Sequence, residues 1–253
     1  MNYTNIHELK FVKLVDNNYS MRKEYLPILN TFNRLAPHYG SKHDMEEANR
    51  RALAPLIAAV EGRILDVGCG AGTLISKYFT PSRHEIFTMD FSEKMTEIAV
   101  QRLDPVRNNI FFVRGFAPAL PFSSCAFDAV VCVNTIHNFP FRDDVIATFY
   151  EFNRVLKAGG KLFLEFRNSY NPRRRSVATL YNLPSLPQRI YSSDQIKKML
   201  NKAGFEVQKL IPIFSASTGK FPSPTVVFRN KIYNLLIPWF APCMGMIAVK
   251  TKN

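Results

Sequence analysis

Apolar residues fall into two patterns that alternate along the chain from Gly62 onward. Short, mostly apolar runs such as RILDV and FDAVVCV are typical of strands covered on both faces of a sheet. Segments with apolar residues three or four positions apart, such as SEKMTEIAVQRL with Ser92 as its N-cap, predict amphipathic helices. DDVIATFYEFNRVL is another such segment, and we expect Gly159 and Gly160 to end that helix.

Seven apolar runs predict strands: RILDV, HEIFTMD, NIFFVRG, FDAVVCVN, KLFLEFRN, FEVQKLIPI and MGMIAVKT. Helical segments separate most of them, which favours parallel pairing through right-handed crossovers. The sequence therefore predicts a doubly wound α/β fold. In such folds the ligand lies beyond the carboxyl ends of the strands.

A chain of 253 residues can form one α/β domain with a large core. We predict a single domain with four parts: an N-terminal helical cap (1–60), a core (61–213), an insertion or lid (214–241) and a final strand (242–253). Residues 232–249 contain no charged side chain and approach the length of a membrane span. Because Pro238 and Pro242 interrupt this run, a lid followed by a buried strand is the favoured interpretation.

The composition narrows the class of protein. An apolar fraction of 47% and a charged fraction of 21% are ordinary for a globular protein. The net charge of +13 favours an anionic partner such as nucleic acid, a membrane surface or an acidic metabolite, but a solvated basic surface explains it equally well. The four cysteines show neither disulfide nor zinc-site spacing. The N-terminus, MNYTNIHELK, lacks the apolar core of a secretory signal, so a cytoplasmic location is the default expectation.

The segment ILDVGCGAGTL places Gly68, Gly70 and Gly72 between a predicted strand and a predicted helix. Glycine lets backbone N–H groups approach a ligand closely. The spacing is GxGxG instead of the GxGxxG of dinucleotide sites. Asp66, two residues before the first glycine, disfavours a phosphate and favours a cationic group such as an ammonium. Taken alone, such a turn is often structural, and Asp66 could simply cap it.

A second acid, Asp90, ends the next predicted strand, eighteen residues after Gly72. A carboxylate at this place can accept hydrogen bonds from ribose hydroxyls. A ligand with an ammonium at one end and a ribose at the other fits S-adenosylmethionine (SAM). Alternatively, Asp90 could cap the helix that starts near Ser92.

Seven segments in order resemble the class I SAM-dependent methyltransferases, especially the small-molecule enzymes related to quinone-biosynthesis methyltransferases. They are FNRLAPHYG, ILDVGCGAG, MDFSEKM, GFAPALPF, FDAVVCVNTIHNF, EFNRVLKAGGKLFLEF and IYSSDQIKKMLNKAGFE, from about Phe32 to Glu206. The resemblance implies a Rossmann-like, mostly parallel seven-stranded sheet with helices on both faces and an antiparallel last strand. It also implies methyl transfer from SAM to an oxygen, nitrogen or carbon atom of a small-molecule acceptor by in-line displacement.

The resemblance also implies roles for single residues in binding SAM. Asp66 would contact the methionyl ammonium directly or through water, and Asp90 would hold both ribose hydroxyls. The remaining implied contacts are the backbone of Gly68 and Gly70 to the methionine part, Gly72 at the start of the helix, Phe91 and Met95 on the adenine face, the backbone of Phe116 and Ala117 at the adenine edge, the carbonyl of Asn134 near the methionine part, and Tyr39 closing over SAM. Phe116 departs from the family, which usually has there an acid that accepts from the adenine amino group.

Candidates for contact with the acceptor are less well defined. His137, in NTIHNF after the fourth strand, is the candidate general base if the acceptor must lose a proton, although a non-catalytic loop histidine fits equally well. Further candidates are Tyr19, Tyr25 and Tyr39, with His38 and His43 as weaker ones. Trp239, Phe240 and Phe221 could form an apolar wall over the acceptor or pack on the sheet. The basic cluster of Arg167 and Arg173–Arg175 could bind an anionic group or form a solvated loop.

Three alternative functions remain open at this level. The charge suggests an RNA-directed methyltransferase, but NTIHN replaces the Asn-Pro-Pro-aromatic segment typical of enzymes that methylate exocyclic base amines. The departure at Phe116 is compatible with a non-catalytic SAM-binding partner subunit. An NAD-dependent dehydrogenase is disfavoured by the loop spacing and by Asp66. No cluster of acids predicts a metal, and the oligomeric state is not indicated.

Overall fold

The computed structural model of the protein describes residues 22–39, 44–79, 84–103, 109–171, 186–214, 232 and 237–251. Its strands are β1 (Gly62–Val67), β2 (His84–Asp90), β3 (Ile110–Arg114), β4 (Phe127–Cys132), β5 (Leu156–Arg167), β6 (Phe205–Ile213) and β7 (Cys243–Lys250). Its α-helices in these ranges are α1 (Leu26–Leu35), α2 (Asp44–Ala58), α3 (Thr73–Tyr78), α4 (Glu93–Leu103), α5 (Arg142–Val155) and α6 (Ser193–Lys202).

The seven strands form one sheet in the order β3-β2-β1-β4-β5-β7-β6. Strands β1 to β5 pair in parallel, whereas β7 lies antiparallel between β5 and β6. The predicted doubly wound, Rossmann-like sheet with an antiparallel last strand is therefore confirmed. The strand order reverses next to β1, since β2 lies on one side of it and β4 on the other. A ligand crevice is expected beyond this point.

Two apolar cores cover the two faces of the sheet, which is why its strands are apolar almost throughout. Successive residues of β1 point to opposite cores: Ile64 packs in the core that contains α2, α3 and α4, and Leu65 in the core that contains α5 and α6. Five of the six residues of β4 (FDAVVC) are buried, and the exception is Asp128. Helices therefore lie on both faces, as predicted.

One predicted boundary is wrong. Helix α5 ends at Val155, and β5 begins at the next residue, so Gly159 and Gly160 do not end the helix. They lie in a bulge instead, because Phe127 of β4 pairs with Leu156 whereas Ala129 pairs with Lys161. Gly159 has a φ of 76°, a conformation that favours glycine.

The C-terminal apolar segment is part of the sheet. Cys243–Lys250 is strand β7, paired along its length with β5 and β6. None of the helices in the described ranges is long and apolar enough to cross a membrane. The predicted lid at 214–241 lies mostly outside the described residues.

Candidate functional site

A pocket opens at the carboxyl ends of β1, β2 and β4, where the reversal of strand order predicts a ligand site. It comprises about 660 Å³ of space, including its open mouth, which is within the usual range for a small-molecule site. Nine of the residues predicted to bind SAM line it: Tyr39, Gly68, Gly70, Asp90, Phe91, Met95, Phe116, Ala117 and Asn134. The other two, Asp66 and Gly72, lie outside its wall.

The glycine loop is held close against its neighbours. Gly68 and Gly70 have φ values of 75° and 55°, so the loop uses the left-handed conformation that glycine allows. A Cβ on Gly68 would overlap the Thr135 side chain, and one on Gly70 would lie 3.2 Å from the Tyr39 ring. The Tyr39 ring therefore lies directly beside the loop. Gly72 precedes the first residue of α3, as predicted.

Asp90 connects the loop to the next helix. Its Oδ2 accepts the Gly70 N–H at 2.8 Å, and its Oδ1 accepts the Ser92 N–H at 2.8 Å. Ser92 in turn accepts the Met95 N–H at 3.1 Å, which confirms Ser92 as the N-cap of α4. Burial raises the pKa of the Asp90 carboxyl to about 6, although these backbone donors oppose the shift.

Asp66 is only 3% exposed and lies at the end of β1. Its Oδ2 is buried without a hydrogen-bond partner among the described residues. Burial raises the pKa of this carboxyl to about 7, the charge of Asp90 adds to the rise, and the charge of Arg50 opposes it. Two interacting buried carboxylates favour a cationic ligand over an anionic one.

Aromatic rings line the pocket next to Asp90. The Tyr25 ring stands edge-on to Phe116 with centroids 4.8 Å apart, and Phe91 lies 5.7 Å from Phe116. The Tyr25 hydroxyl donates to Asp144 at 2.6 Å, and both side chains are buried. This bond joins the turn before α1 to the first turn of α5 and so positions the Tyr25 ring in the wall.

Asn134, just after β4, is held in an uncommon conformation. Its φ of 61° is left-handed, a conformation that is uncommon for residues other than glycine, although asparagine adopts it more readily than most. Its N–H donates to the fully buried Glu165 at 2.9 Å, and its Oδ1 accepts from Asn49 at 2.6 Å. Its carbonyl oxygen lies 3.4 Å from the Asn138 side-chain nitrogen. These contacts fix Asn134 at the edge of the pocket.

Known proteins resemble this chain in sequence and in fold. A family model described as Methyltransferase domain matches residues 64–160. The ubiquinone/menaquinone biosynthesis C-methyltransferase of Syntrophotalea carbinolica is 32% identical over 179 residues, which cover 66% of this chain and 74% of that protein. The demethylmenaquinone methyltransferase of Renibacterium salmoninarum is 33% identical over 163 residues, covering 62% of this chain and 65% of that protein.

This chain belongs to the SAM-dependent methyltransferases. The magnesium protoporphyrin IX methyltransferase of Synechocystis PCC 6803, solved with bound S-adenosylhomocysteine (SAH), has the same fold. The comparison of the two structures gives a TM-score of 0.64 at 18% sequence identity, and it covers 90% of this chain and 97% of that chain. As a member of this family, the chain uses SAM, the cofactor that the loop and its two acids predicted.

The methyltransferase does not bring His137 to the pocket. This residue lies in a 3-10 turn, Ile136–Asn138, and is 3% exposed, and its side chain does not belong to the pocket wall. Its backbone carbonyl accepts the Arg189 N–H at 2.7 Å. A role as general base therefore stays a prediction that this position does not favour. Tyr39, the other catalytic candidate, does line the pocket.

Apart from Tyr25, which lines the pocket, the other acceptor candidates lie away from the pocket or outside the described residues. His38, Trp239 and Phe240 are exposed and do not line the pocket, and Arg167 is buried and lies outside the wall. Tyr19, His43, Phe221 and Arg173–Arg175 lie outside the described residues. No group of side chains that could hold a metal ion occurs in the part of the chain that the structure describes.

Sequence reasoning missed part of the pocket wall. Ile28 and Phe32 of α1 contribute to it, and their spacing of four residues marks one face of that helix. Thr135, Asn138 and Phe139 also line it. Their position directly after the apolar run of β4 was a usable signal, because strand ends carry ligand sites in this fold.

Proposed function

We propose that the methyltransferase transfers the methyl group of SAM to an aromatic small molecule by in-line displacement at a carbon, nitrogen or oxygen atom. One observation carries the part of this proposal that concerns SAM binding. Asp90 lines the pocket, and the nearby Asp66, whose pKa its charge raises, has a buried oxygen without a partner among the described residues. A ligand with ribose hydroxyls and a cationic ammonium would satisfy both carboxylates.

The residues present fit SAM. Asp90 would accept hydrogen bonds from the ribose hydroxyls while it still holds the loop. Asp66 would neutralise the ammonium directly or through a water molecule, since it lies just outside the wall. Gly68 and Gly70 would bring backbone against the methionine part, because both line the pocket and neither carries a side chain.

Bound SAM supplies a methyl group already activated on a sulfonium, so the protein has mainly to align the acceptor and exclude water. The N-terminal part of the chain would exclude water. Tyr39 packs beside the glycine loop, and Phe32 of α1 lies 6.4 Å from it between ring centroids. Tyr39 is also the candidate whose hydroxyl could contact the acceptor from the wall of the pocket.

Two observations support this choice of acceptor class. The relatives from Syntrophotalea carbinolica and Renibacterium salmoninarum are, by their names, enzymes of ubiquinone and menaquinone biosynthesis and of demethylmenaquinone methylation. The pocket itself is lined by aromatic side chains, among them Tyr25, Phe32 and Phe139. An aromatic ring of the quinone type, methylated at carbon, is therefore the first acceptor class to test, and the net charge of +13 favours anionic members of it.

Isothermal titration calorimetry with SAH tests the cofactor site. The wild-type chain should bind SAH, and Asp90→Ala should weaken binding roughly 100-fold or more, because two charge-assisted hydrogen bonds are lost. Glu93→Ala is the matched control, since Glu93 is an exposed acid three residues further on that does not line the pocket. Equal affinity of Asp90→Ala and wild type would contradict the assignment.

Transfer of a labelled methyl group from SAM to a panel of aromatic acceptors tests the reaction. Product with a quinone-type ring would support the proposal. SAH binding without transfer to any acceptor would instead favour a non-catalytic SAM-binding subunit. Transfer to RNA, with binding that weakens steeply as salt rises, would favour the RNA-directed alternative.

A further inference from the structure

The wall of the pocket next to Asp90 is formed by apolar side chains, where a bound purine base would lie. If Asp90 accepts hydrogen bonds from the ribose hydroxyls, the base lies against the side chains that adjoin Asp90. We define the base wall as Phe91, Met95, Phe116 and Ala117, which all line the pocket. None of these four side chains carries an oxygen or nitrogen atom that could accept a hydrogen bond from an amino group.

The polar groups next to the base wall each already have a hydrogen-bond partner within the protein, so none of them needs the amino group of a base as a partner. The Tyr25 hydroxyl donates to Asp144 at 2.6 Å. The Asn138 side-chain oxygen lies 3.3 Å from the Gln188 amide nitrogen that donates to it. The backbone carbonyl of Phe116 accepts the Ala119 N–H at 2.9 Å.

Packing holds the Phe116 ring in this position. Tyr25 stands edge-on to it at an interplanar angle of 87°, and Phe91 lies on another side at 47°. The hydrogen bond to Asp144 fixes the Tyr25 ring, which packs against the Phe116 ring. The Phe116 ring is therefore held in the wall of the pocket. A base bound here would meet ring carbon and methyl groups, which attract it through dispersion and desolvation.

We propose that Phe116 makes recognition of the base depend on packing against aromatic rings and not on the amino group at the purine 6-position. The site would therefore accept SAM analogues that lack or modify this group. The inference rests on the proposed binding of SAM in this pocket. It identifies Phe116 as a specificity-determining residue of the cofactor site.

Calorimetric titration of the full chain with SAH and with its 6-deamino analogue, which has purine in place of adenine, tests the proposal. The two dissociation constants should agree within about threefold, since no protein acceptor is left unpaired when the amino group is removed. Phe116→Asp should create a preference for SAH of roughly tenfold or more, because a carboxylate there would bond the amino group. Phe116→Leu is the control: it should weaken both ligands together.

Each outcome is decisive. A wild-type chain that binds SAH but loses about tenfold or more for the 6-deamino analogue would overturn this proposal while leaving the proposed function in place, whatever the Phe116→Asp variant does. A wild-type chain that unfolds cooperatively but binds neither ligand would overturn both. Equal binding of the two ligands by wild type would support the proposal even if Phe116→Asp failed to fold.

Discussion

Affinity for SAH should depend strongly on pH because Asp66 and Asp90 must be ionised to hold it. Burial raises their pKa values to about 7 and about 6 in the free protein. A bound ammonium and two ribose hydroxyls favour the charged carboxylates and lower both values. Binding therefore releases protons, and the association constant rises with pH through this range.

The size of the effect follows from these two values. On lowering the pH from 8 to 6, protonation of Asp66 should weaken binding about tenfold, and protonation of Asp90 about twofold more. The combined loss is about 20-fold, and about one proton should be released per SAH bound at pH 6.5. The neighbouring Cys69 thiol does not contribute, because burial raises its pKa well above the usual value and it stays protonated.

Calorimetry at pH 6, 7 and 8, in buffers of different ionisation enthalpy, measures both the affinity and the protons released. Asp66→Asn should bind less tightly at pH 8 and reduce the pH effect to about twofold, the part due to Asp90. Glu93→Gln, an exposed acid outside the pocket, should leave the pH effect unchanged. An affinity that is constant from pH 6 to 8 with no proton release would refute the reasoning.

The same groups affect stability with the opposite trend. Because their folded pKa values exceed those of the unfolded chain, Asp66 and Asp90 favour folding most below about pH 4. They lose this contribution as the pH rises through 6 and 7. Because SAH binds more tightly at pH 8, it should raise the unfolding temperature more at pH 8 than at pH 6, which thermal scans at both pH values can measure.

Three further variants test other parts of the structure. His137→Ala should leave SAH affinity unchanged and turnover within about threefold, because the ring lies outside the pocket wall, whereas a tenfold loss of turnover with intact binding would support a general base. Glu165→Ala should destabilise the fold by about 1–3 kcal/mol in urea unfolding, because the half-buried Asn134 N–H loses its acceptor, and Glu165→Gln should largely restore the stability. Phe149 belongs to α5, and its side chain is fully buried in the core. Phe149→Ala should lower the free energy of unfolding by about 3–5 kcal/mol in the same measurement, and a loss below about 1 kcal/mol would contradict this burial.

The sheet could be predicted from the sequence because burial on both faces leaves a simple record. The inner strands contribute alternate residues to two cores, as Ile64 and Leu65 of β1 do, and therefore appear as apolar runs. The edge strand β6 is less apolar, and four of its nine residues are exposed. The helix boundary at Val155 could not be predicted in this way. A strand that starts with a bulge and a helix that ends at glycines share the same Lys-Ala-Gly-Gly pattern, and only the pairing of Leu156 with Phe127 distinguishes them.

The candidate site could be predicted where its residues follow strand ends and not where they depend on distant contacts. Asp66 is the second-last residue of β1 and Asp90 is the last residue of β2, and the parallel sheet brings those strand ends together. Tyr25 was one of several candidate tyrosines that the sequence could not rank, and the structure holds it at the pocket through a hydrogen bond to Asp144, 119 residues away. The sequence contains no local signal for such a contact. His137 also follows a strand, but the 3-10 turn directs its side chain into the interior, so position after a strand is not sufficient.

Asp90 shows why structural and functional interpretations of one residue need not compete. The sequence allowed either a helix-capping acid or a ribose-binding acid at this position. In the structure each carboxylate oxygen accepts one backbone N–H, from Gly70 and from Ser92. Each oxygen has a second lone pair, so both remain able to accept a ribose hydroxyl. The backbone bonds fix the carboxylate before the ligand arrives and thereby reduce the entropy lost on binding. The structural contacts of Asp90 are therefore what would make it an effective ribose-binding group.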